Sequence, residues 1–226
     1  MTAQINPERF DHEQLAGEWV AEYSQMGSEE FWRLAPYLWR ELATTGQPVD
    51  PERLAALADL AGMPRDEAVA VLREAGAEWD PSGERLLGQG VTLVRTPHRY
   101  DTSGHTVWTW CAADLLELPV VVGEPARIES LCATTGDPIR VQLTPAGVDK
   151  VEPAGAVTSI VTRAPESLGA VRTAVCEQQN FYRDSDVAAG WLAANPYGLL
   201  LPIADAFEVL GRAFRRILPA DLALDR

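Results

Sequence analysis

The sequence predicts an α+β fold in which an N-terminal module of three helices precedes a mixed α/β core with several short strands. Between residues 31 and 76, three successive stretches place apolar residues at helical spacing and end at glycine. From Gly90 onward, short runs rich in β-branched residues alternate with glycine and proline, which is typical of strands. Apolar residues make up 46% of the 226 residues, so the chain can bury a sizeable core.

The chain divides into three predicted parts, which are an N-terminal extension over residues 1–30, a three-helix module over 31–100 and a core over 101–226. The extension is largely polar, and one short helix is predicted in it, around Glu13–Tyr23. Leu15, Trp19 and Tyr23 would share one face of that helix, because they recur every four residues. We expect the extension either to pack on the main body or to trail from it.

Start and stop signals define the three helices of the module. A glycine follows each helix, Asp50 and Pro51 open the second, and Pro64 opens the third. The apolar positions expected to face inward are Phe31, Leu34, Leu38 and Leu42 in the first helix, Leu54, Leu57, Leu60 and Ala61 in the second, and Val69, Val71 and Leu72 in the third. A turn over Trp79–Gly83 and an extended stretch follow, so the module is predicted to be winged-helix-like.

Charge argues against a nucleic-acid partner for this module. The chain carries a formal net charge of −14, which repels phosphate backbones and anionic lipid surfaces. The third helix contains Arg65 and Arg73 but also Asp66, Glu67 and Glu74. Such a balance is poor for reading phosphates or bases, so we expect a packing or lid role and no nucleic-acid or membrane partner.

The core combines short strands with four helices. The predicted strands are Val91–Val94, Thr106–Trp110, Val120–Val122, Arg127–Leu131, Ile139–Leu143 and Val157–Thr162. The predicted helices begin near Ala112, run from about Pro165 to Val175, follow a cap at Asp184 or Ser185, and carry an apolar stripe from Ile203 to Ile217. The last of these has the strongest amphipathic pattern.

The cysteine count predicts free thiols in a reducing compartment. The three cysteines are Cys111, Cys132 and Cys176, and their odd number and wide spacing do not suggest a disulfide framework. The first residues lack the apolar run of a secretory signal, and no stretch is long enough to span a bilayer. We therefore expect a cytoplasmic protein. The sequence also has no paired His or Cys spacing for zinc, no nucleophile elbow and no phosphate loop.

Cys111 and Asp114 form the most informative local pattern. A predicted strand delivers Cys111, and a helix begins directly after it, a position that favours the thiolate form of cysteine. Asp114 follows one helical turn later and can lie on the same side as the sulfur. Spacing alone is equally compatible with purely structural roles, in which Cys111 is a buried core residue and Asp114 stabilises the start of the helix. Taken alone, Cys132 and Cys176 fit ordinary packed cysteines.

Several motifs in order resemble those of the organomercurial (alkylmercury) lyases. They are Trp110–Cys111–Ala112–Ala113–Asp114–Leu115–Leu116 followed by Pro119, the stretch from Arg127 to Pro138, Val151–Glu152–Pro153–Ala154–Gly155, and Val171–Arg172 with Cys176 and Phe181. The resemblance runs from about Phe31 to Leu218 and keeps its order throughout. It implies a winged-helix-like N-terminal part and makes 101–226 the catalytic core.

The resemblance also implies a chemistry for three residues. Cys111 and Cys176 would bind mercury as thiolates, and Asp114, near the metal, would protonate the leaving carbon. The products would be a hydrocarbon and Hg(II), with no cofactor beyond the free thiols needed for turnover. Low-molecular-weight thiols or a mercuric reductase would accept the Hg(II). Cys132 matches a cysteine with a structural role, while Glu177 replaces a second cysteine that members often carry, which affects any auxiliary thiol step.

Two other functions are compatible with parts of this pattern. A winged-helix, thiol-based metal sensor would use the N-terminal helices and the spaced cysteines, but the acidic charge counts against it. A relative that binds organometals without cleaving them would need only the two thiols. The presence of all three matched residues argues against that second alternative.

Overall fold

Helices surround two antiparallel sheets in the computed structural model, which describes residues 11–24, 28–102, 104–164 and 167–222. The helices are α1 His12–Tyr23, α2 Glu29–Thr45, α3 Pro51–Leu60, α4 Arg65–Glu74, α5 Ala112–Val122, α6 Val171–Ala174, α7 Ser185–Ala194 and α8 Ile203–Ile217. The strands are β1 Glu78–Trp79, β2 Leu86–Gln89, β3 Val91–Thr92, β4 His98–Asp101, β5 Thr106–Thr109, β6 Ala126–Leu131, β7 Pro138–Thr144, β8 Gly147–Glu152, β9 Val157–Val161, β10 Phe181–Tyr182 and β11 Gly198–Pro202. Two 3₁₀ turns, Leu168–Ala170 and Cys176–Gln178, flank α6.

The strands form one large and one small sheet. The large sheet has the order β1-β2-β3-β5-β4-β6-β7-β8, and the small one has the order β10-β9-β11. Neighbouring strands are antiparallel in both sheets, and helices lie beside them, so the predicted α+β class is confirmed. The large sheet continues across the predicted division near residue 100, and that division and the winged-helix comparison remain predictions. Among the described helices, none combines the length and apolar character that crossing a bilayer requires.

The helix signals of the N-terminal module work as predicted. The Asp50 side chain caps α3 by accepting a hydrogen bond from the Arg53 backbone N–H, and Gly46 ends α2 in the left-handed conformation at φ 61°. Leu60, however, is 57% exposed rather than inward-facing, because it lies beyond the edge of the buried stripe of α3. In α4, Val69 and Val71 are only half-buried, since Ala68 and Leu72 occupy the centre of its buried face.

The predicted helix of the N-terminal extension exists as α1 and packs on α8. Trp19 and Tyr23 are buried, as the helical face predicted, and their rings stack with centroids 4.3 Å apart. His12 Nε2 lies 2.9 Å from Asp205 Oδ1, and Glu13 pairs with Arg212 and Arg216. The described part of the extension therefore belongs to the folded body.

The strand predicted over Val120–Val122 is wrong, because these residues form the last turn of α5. The run of apolar residues in α5 is continuous, and short apolar runs do not distinguish a buried strand from a buried helix. The helix passes through Pro119 and ends at Gly123, which adopts a φ of 82°. Burial on nearly every side makes α5 the central helix of the core.

The continuous helix predicted from Pro165 to Val175 is also wrong over the described part of that stretch, which excludes Pro165. One 3₁₀ turn and the single turn of α6 replace it, and Val175, at φ −120° and ψ −63°, interrupts the path before Cys176. No side chain caps α6. The irregular backbone delivers Cys176 on a short 3₁₀ turn.

The remaining strand and helix predictions are largely confirmed. Strands β3, β5, β6, β7 and β9 lie where the sequence placed them, to within about two residues. Asp184 caps α7 by accepting a hydrogen bond from the Val187 backbone N–H. The apolar stripe of α8 is buried except at half-buried Ile217. Strands β4, β8, β10 and β11 had no strong alternating pattern and were missed, and so was β1, whose Trp79 was predicted to lie in a turn.

Candidate active site

The junction between β5 and α5 fixes Cys111 and Asp114 against one another. Cys111 is the N-cap of α5, and its Sγ accepts a hydrogen bond from the Asp114 backbone N–H at 3.4 Å. The Asp114 carboxylate in turn accepts one from the Cys111 backbone N–H at 3.3 Å. This reciprocal pair is a capping box in which cysteine takes the place of serine or threonine. The predicted strand–cysteine–helix junction is therefore confirmed.

Cys176 reaches the same place from a separate segment. The Sγ atoms of Cys111 and Cys176 and a carboxylate oxygen of Asp114 all lie within 4.8 Å of one another. Cys111 and Cys176 are 0% and 4% exposed, whereas Asp114 is half-buried. Cys132 lies elsewhere, buried at the end of β6. The structure thus gathers the three predicted site residues and leaves the third thiol outside.

Burial determines the charge state of the resting thiols. It raises the pKa of Cys111 well above its usual value, and contact with Cys176 and the charge of Asp114 raise it further. For Cys176, contact with the Cys111 thiol lowers the pKa, but burial and the nearby carboxyls outweigh it, so the net pKa is raised. The expectation that the helix N-terminus favours a Cys111 thiolate is therefore wrong for the resting site, because desolvation is the larger effect.

The Asp114 carboxyl has a pKa close to neutral pH. Burial raises the pKa of its carboxyl to about 6, although hydrogen bonds from Cys111 and the Trp110–Cys111 backbone pull that pKa down. A group with a pKa near the working pH can both accept and donate a proton, which general acid–base catalysis requires.

Glu117 is a second carboxyl at the site that the sequence analysis missed. It lies one helical turn after Asp114 and is 8% exposed. Among the described residues its side chain has no hydrogen-bond partner, and burial together with the charge of Asp114 raises its pKa well above the usual value. The spacing of three residues from Asp114 was the available signal, but an apolar surrounding cannot be inferred from spacing.

Gln179 is a second missed residue, and it contacts the sulfur of Cys111. Its Nε2 atom lies 3.6 Å from Cys111 Sγ, and its Oε1 atom accepts a hydrogen bond from the Val161 backbone N–H at 3.2 Å. Its backbone carbonyl accepts a hydrogen bond from the Ala112 N–H at 3.0 Å. Gln179 therefore links the segment of Cys176 to the start of α5.

A small cavity of about 60 Å³ opens at Asp114 and Cys176, and the fully buried Cys111 lies behind them. Its polar lining consists of Gln89, Asp114, Glu117, Cys176 and Gln179. Its aromatic lining consists of Trp19, Tyr23, Phe31, Trp32, Trp39, Trp110 and Phe214. Helices α1 and α2 contribute most of these aromatic rings, so the N-terminal part of the chain forms one wall of the site.

Arg172, four residues before Cys176, contacts both Trp110 and Glu78. Its guanidinium carbon lies 4.9 Å from the centre of the Trp110 ring, a cation–π distance. Its Nη1 atom donates a hydrogen bond of 2.7 Å to Glu78 in β1. Because Trp110 directly precedes Cys111, this contact connects the two thiol-bearing segments.

Comparisons with known proteins agree with this geometry. The family model described as alkylmercury lyase matches residues 91–215. An alkylmercury lyase of Streptomyces lividans is 40% identical over 186 residues, covering 81% of this chain and 84% of the relative. One of Bacillus cereus is 35% identical over 199 residues, covering 86% and 88%.

A solved structure shares the fold. The crystal structure of the mercury-bound form of MerB2 superposes with a TM-score of 0.69 at 20% identity, covering 90% of this chain and 98% of that one. At this identity the likeness concerns the fold alone. The match of the family model and the identity to the relatives over most of their length show that this chain belongs to the alkylmercury lyase family.

Proposed function

We propose that this chain is an organomercurial lyase that cleaves the carbon–mercury bond by protonolysis, releasing a hydrocarbon and Hg(II). One observation carries the proposal: two thiols and a carboxyl, from two separate segments, meet within 4.8 Å beside a small cavity. Soft thiolate ligands suit a soft metal such as mercury, and a carboxyl beside them can move a proton.

The first step captures the substrate, which arrives as an adduct of an organomercury cation with a low-molecular-weight thiol. One protein thiol replaces the small thiolate on mercury, and its proton leaves with the departing thiol. The organic group then remains bonded to mercury, which is held by one cysteine sulfur. Burial of both thiols keeps them protonated until mercury arrives, so the proton needed later stays inside the site.

The second step breaks the carbon–mercury bond. The other thiol gives its proton to the Asp114 carboxylate while its sulfur bonds to mercury. Asp114 then passes this proton to the carbon, the carbon–mercury electron pair forms the new C–H bond, and the hydrocarbon leaves. The pKa of about 6 suits Asp114 to both transfers. Hg(II) stays on the two cysteine sulfurs, and Glu117 is not required for the proton balance.

Release of Hg(II) completes the cycle. Two low-molecular-weight thiols take the metal and return their protons to Cys111 and Cys176, and a mercuric reductase can serve as the acceptor in their place. This exchange regenerates the resting site with no other cofactor.

The cavity indicates which organic groups fit. Its volume of about 60 Å³ is a few times that needed for one water molecule, about 10–15 Å³. A methyl or ethyl group therefore fits against the aromatic walls without rearrangement. Because such a group would lie against the aromatic walls from α1 and α2, methylmercury is the substrate chosen for the test.

The test uses purified, reduced protein mixed with methylmercury and an excess of a small thiol. Methane in the headspace and thiol-bound Hg(II) in solution, formed in equal amounts, are the expected products. Mercury that binds without methane release would instead support the non-cleaving relative. Binding to DNA that survives physiological salt, with no methane, would support the metal sensor.

A further inference from the structure

We propose that Gln179 is a positioning residue for carbon–mercury cleavage, whose side-chain amide donates a hydrogen bond to the Cys111 sulfur and holds that sulfur toward mercury. This inference rests on the proposed function and adds a residue that the mechanism above does not use. Gln179 is 4% exposed, and its Nε2 atom lies 3.6 Å from Cys111 Sγ.

The orientation of the Gln179 amide is determined by its second partner. Its Oε1 atom lies 3.2 Å from the Val161 backbone nitrogen. A backbone N–H can only donate, so the amide oxygen must face Val161 and the NH₂ group must face Cys111. The Val161 carbonyl is held in turn by the Tyr23 hydroxyl, which donates a hydrogen bond of 2.7 Å to it. Val161, whose N–H orients Gln179, is thus held by hydrogen bonds at both its N–H and its carbonyl.

The backbone of Gln179 ties together the two segments that carry the thiols. Its carbonyl accepts a hydrogen bond from Ala112 at 3.0 Å, and its N–H lies 3.1 Å from the Val175 carbonyl and 3.2 Å from that of Cys176. The side chain therefore extends from a backbone that has little freedom to shift. A donor held in this way is preorganised for the sulfur that it faces.

The chemical need for such a donor follows from the surroundings of Cys111. Burial and the carboxyls of Asp114 and Glu117 all oppose negative charge on this sulfur. Among the described residues, the N–H donors to Cys111 Sγ are the Asp114 backbone, at 3.4 Å, and the Gln179 amide. Hydrogen bonds strengthen when the acceptor gains negative charge, so the Gln179 bond becomes stronger as the sulfur bonds to mercury.

The first experiment compares Gln179→Met with the control Gln178→Met. Methionine has a similar length but no N–H group, and Gln178 is half-buried with no side-chain hydrogen bond among the described residues. Single-turnover methane release from methylmercury-loaded protein should slow roughly 10–100-fold in Gln179→Met, the usual effect of a hydrogen bond to a charged group. Gln178→Met should match the wild type.

A spectroscopic measurement separates this role from simple packing. In protein loaded with one Hg(II), the thiolate-to-mercury charge-transfer band should move to lower energy in Gln179→Met, because loss of the donor raises the energy of the sulfur lone pairs. Gln178→Met should leave the band unmoved. Slower release with an unmoved band would make the role of Gln179 purely structural and overturn the proposal.

A second variant covers the case in which Gln179→Met does not fold. Gln179→Asn keeps a side-chain amide but is one methylene shorter, so its NH₂ group no longer reaches Cys111 Sγ. It should release methane about as slowly as expected for Gln179→Met. Wild-type rates in either variant would overturn the proposal. Absence of methane from the wild-type protein would contradict the proposed function instead.

Discussion

Two buried cysteines, Cys132 and Cys111, have surroundings that shift the thiol pKa in opposite directions. Burial raises the pKa of Cys132, but surrounding donors, first the hydroxyl and N–H of Thr135, outweigh it and lower the net pKa. At Cys111 burial dominates, and the pKa rises. The thiol that ionises more easily is therefore the one outside the cluster of two thiols and a carboxyl. What distinguishes the proposed mercury site is that two thiols and a carboxyl lie together, and not that one of its thiols has a low pKa.

The largest expected effect tests this contrast directly. Cys111→Ser and Cys176→Ser should each abolish methane release, because a hydroxyl does not replace a thiolate as a mercury ligand. Cys132→Ser should retain turnover per folded molecule and keep most of its unfolding free energy, because the donors around Cys132 can bond to the serine oxygen. Headspace methane and urea unfolding measure the two effects. Wild-type turnover in Cys176→Ser would contradict the two-thiol mechanism.

The next prediction concerns Asp114, the carboxyl of that cluster. Asp114→Ala should still bind organomercury through both thiols but release hydrocarbon roughly 10²–10⁴-fold more slowly, the usual contribution of a general acid–base group. Single-turnover release from preloaded protein is the measurement. If Asp114 only caps α5, its removal costs about 0.5–2 kcal/mol of stability and leaves the cleavage rate unchanged. Equal rates would therefore remove Asp114 from the mechanism.

The raised pKa of Asp114 also predicts how stability depends on pH. Because the folded-state pKa of about 6 lies above the ordinary value of 3.8, the folded state binds this proton more tightly. The stabilising contribution is full below about pH 4 and is lost as pH rises through about 6, with a total of about 3 kcal/mol. The measurement is urea unfolding of two variants between about pH 4 and 7: Glu117→Met, and Glu117→Met combined with Asp114→Asn. Both lack the neighbouring carboxyl, so their difference in unfolding free energy isolates the contribution of Asp114. A difference that does not decrease with rising pH would contradict the assignment.

The smallest expected effect concerns Glu117. A buried carboxyl without a hydrogen-bond partner destabilises the fold, so Glu117→Met should raise the unfolding free energy at neutral pH by about 1–3 kcal/mol. The control Glu177→Gln changes an exposed carboxyl next to Cys176 and should leave stability nearly unchanged. Methane release by Glu117→Met should remain close to wild type, because the proton balance does not use this group. A large loss of rate would show that Glu117 takes part in the reaction.

Local sequence features predicted most of the fold. The caps at Asp50 and Asp184 and the glycine that ends α2 work through groups only a few residues apart, so they could be identified without a structure. The apolar run of α5 failed as a guide at Val120–Val122, because continuous apolar character gives no period to measure. The prediction of a continuous helix before Cys176 failed because packing, rather than helix propensity, determines the backbone there.

The sequence by itself determined the family, the α+β class and the pairing of Cys111 with Asp114, since one helical turn joins these two residues. Only the tertiary structure decided that Cys176 meets them, that Glu117 has no hydrogen-bond partner among the described residues and that Gln179 faces a sulfur. It also decided that the resting thiols keep their protons. The physical reason is that desolvation and long-range contacts depend on how distant segments pack, and no short stretch of sequence contains that information.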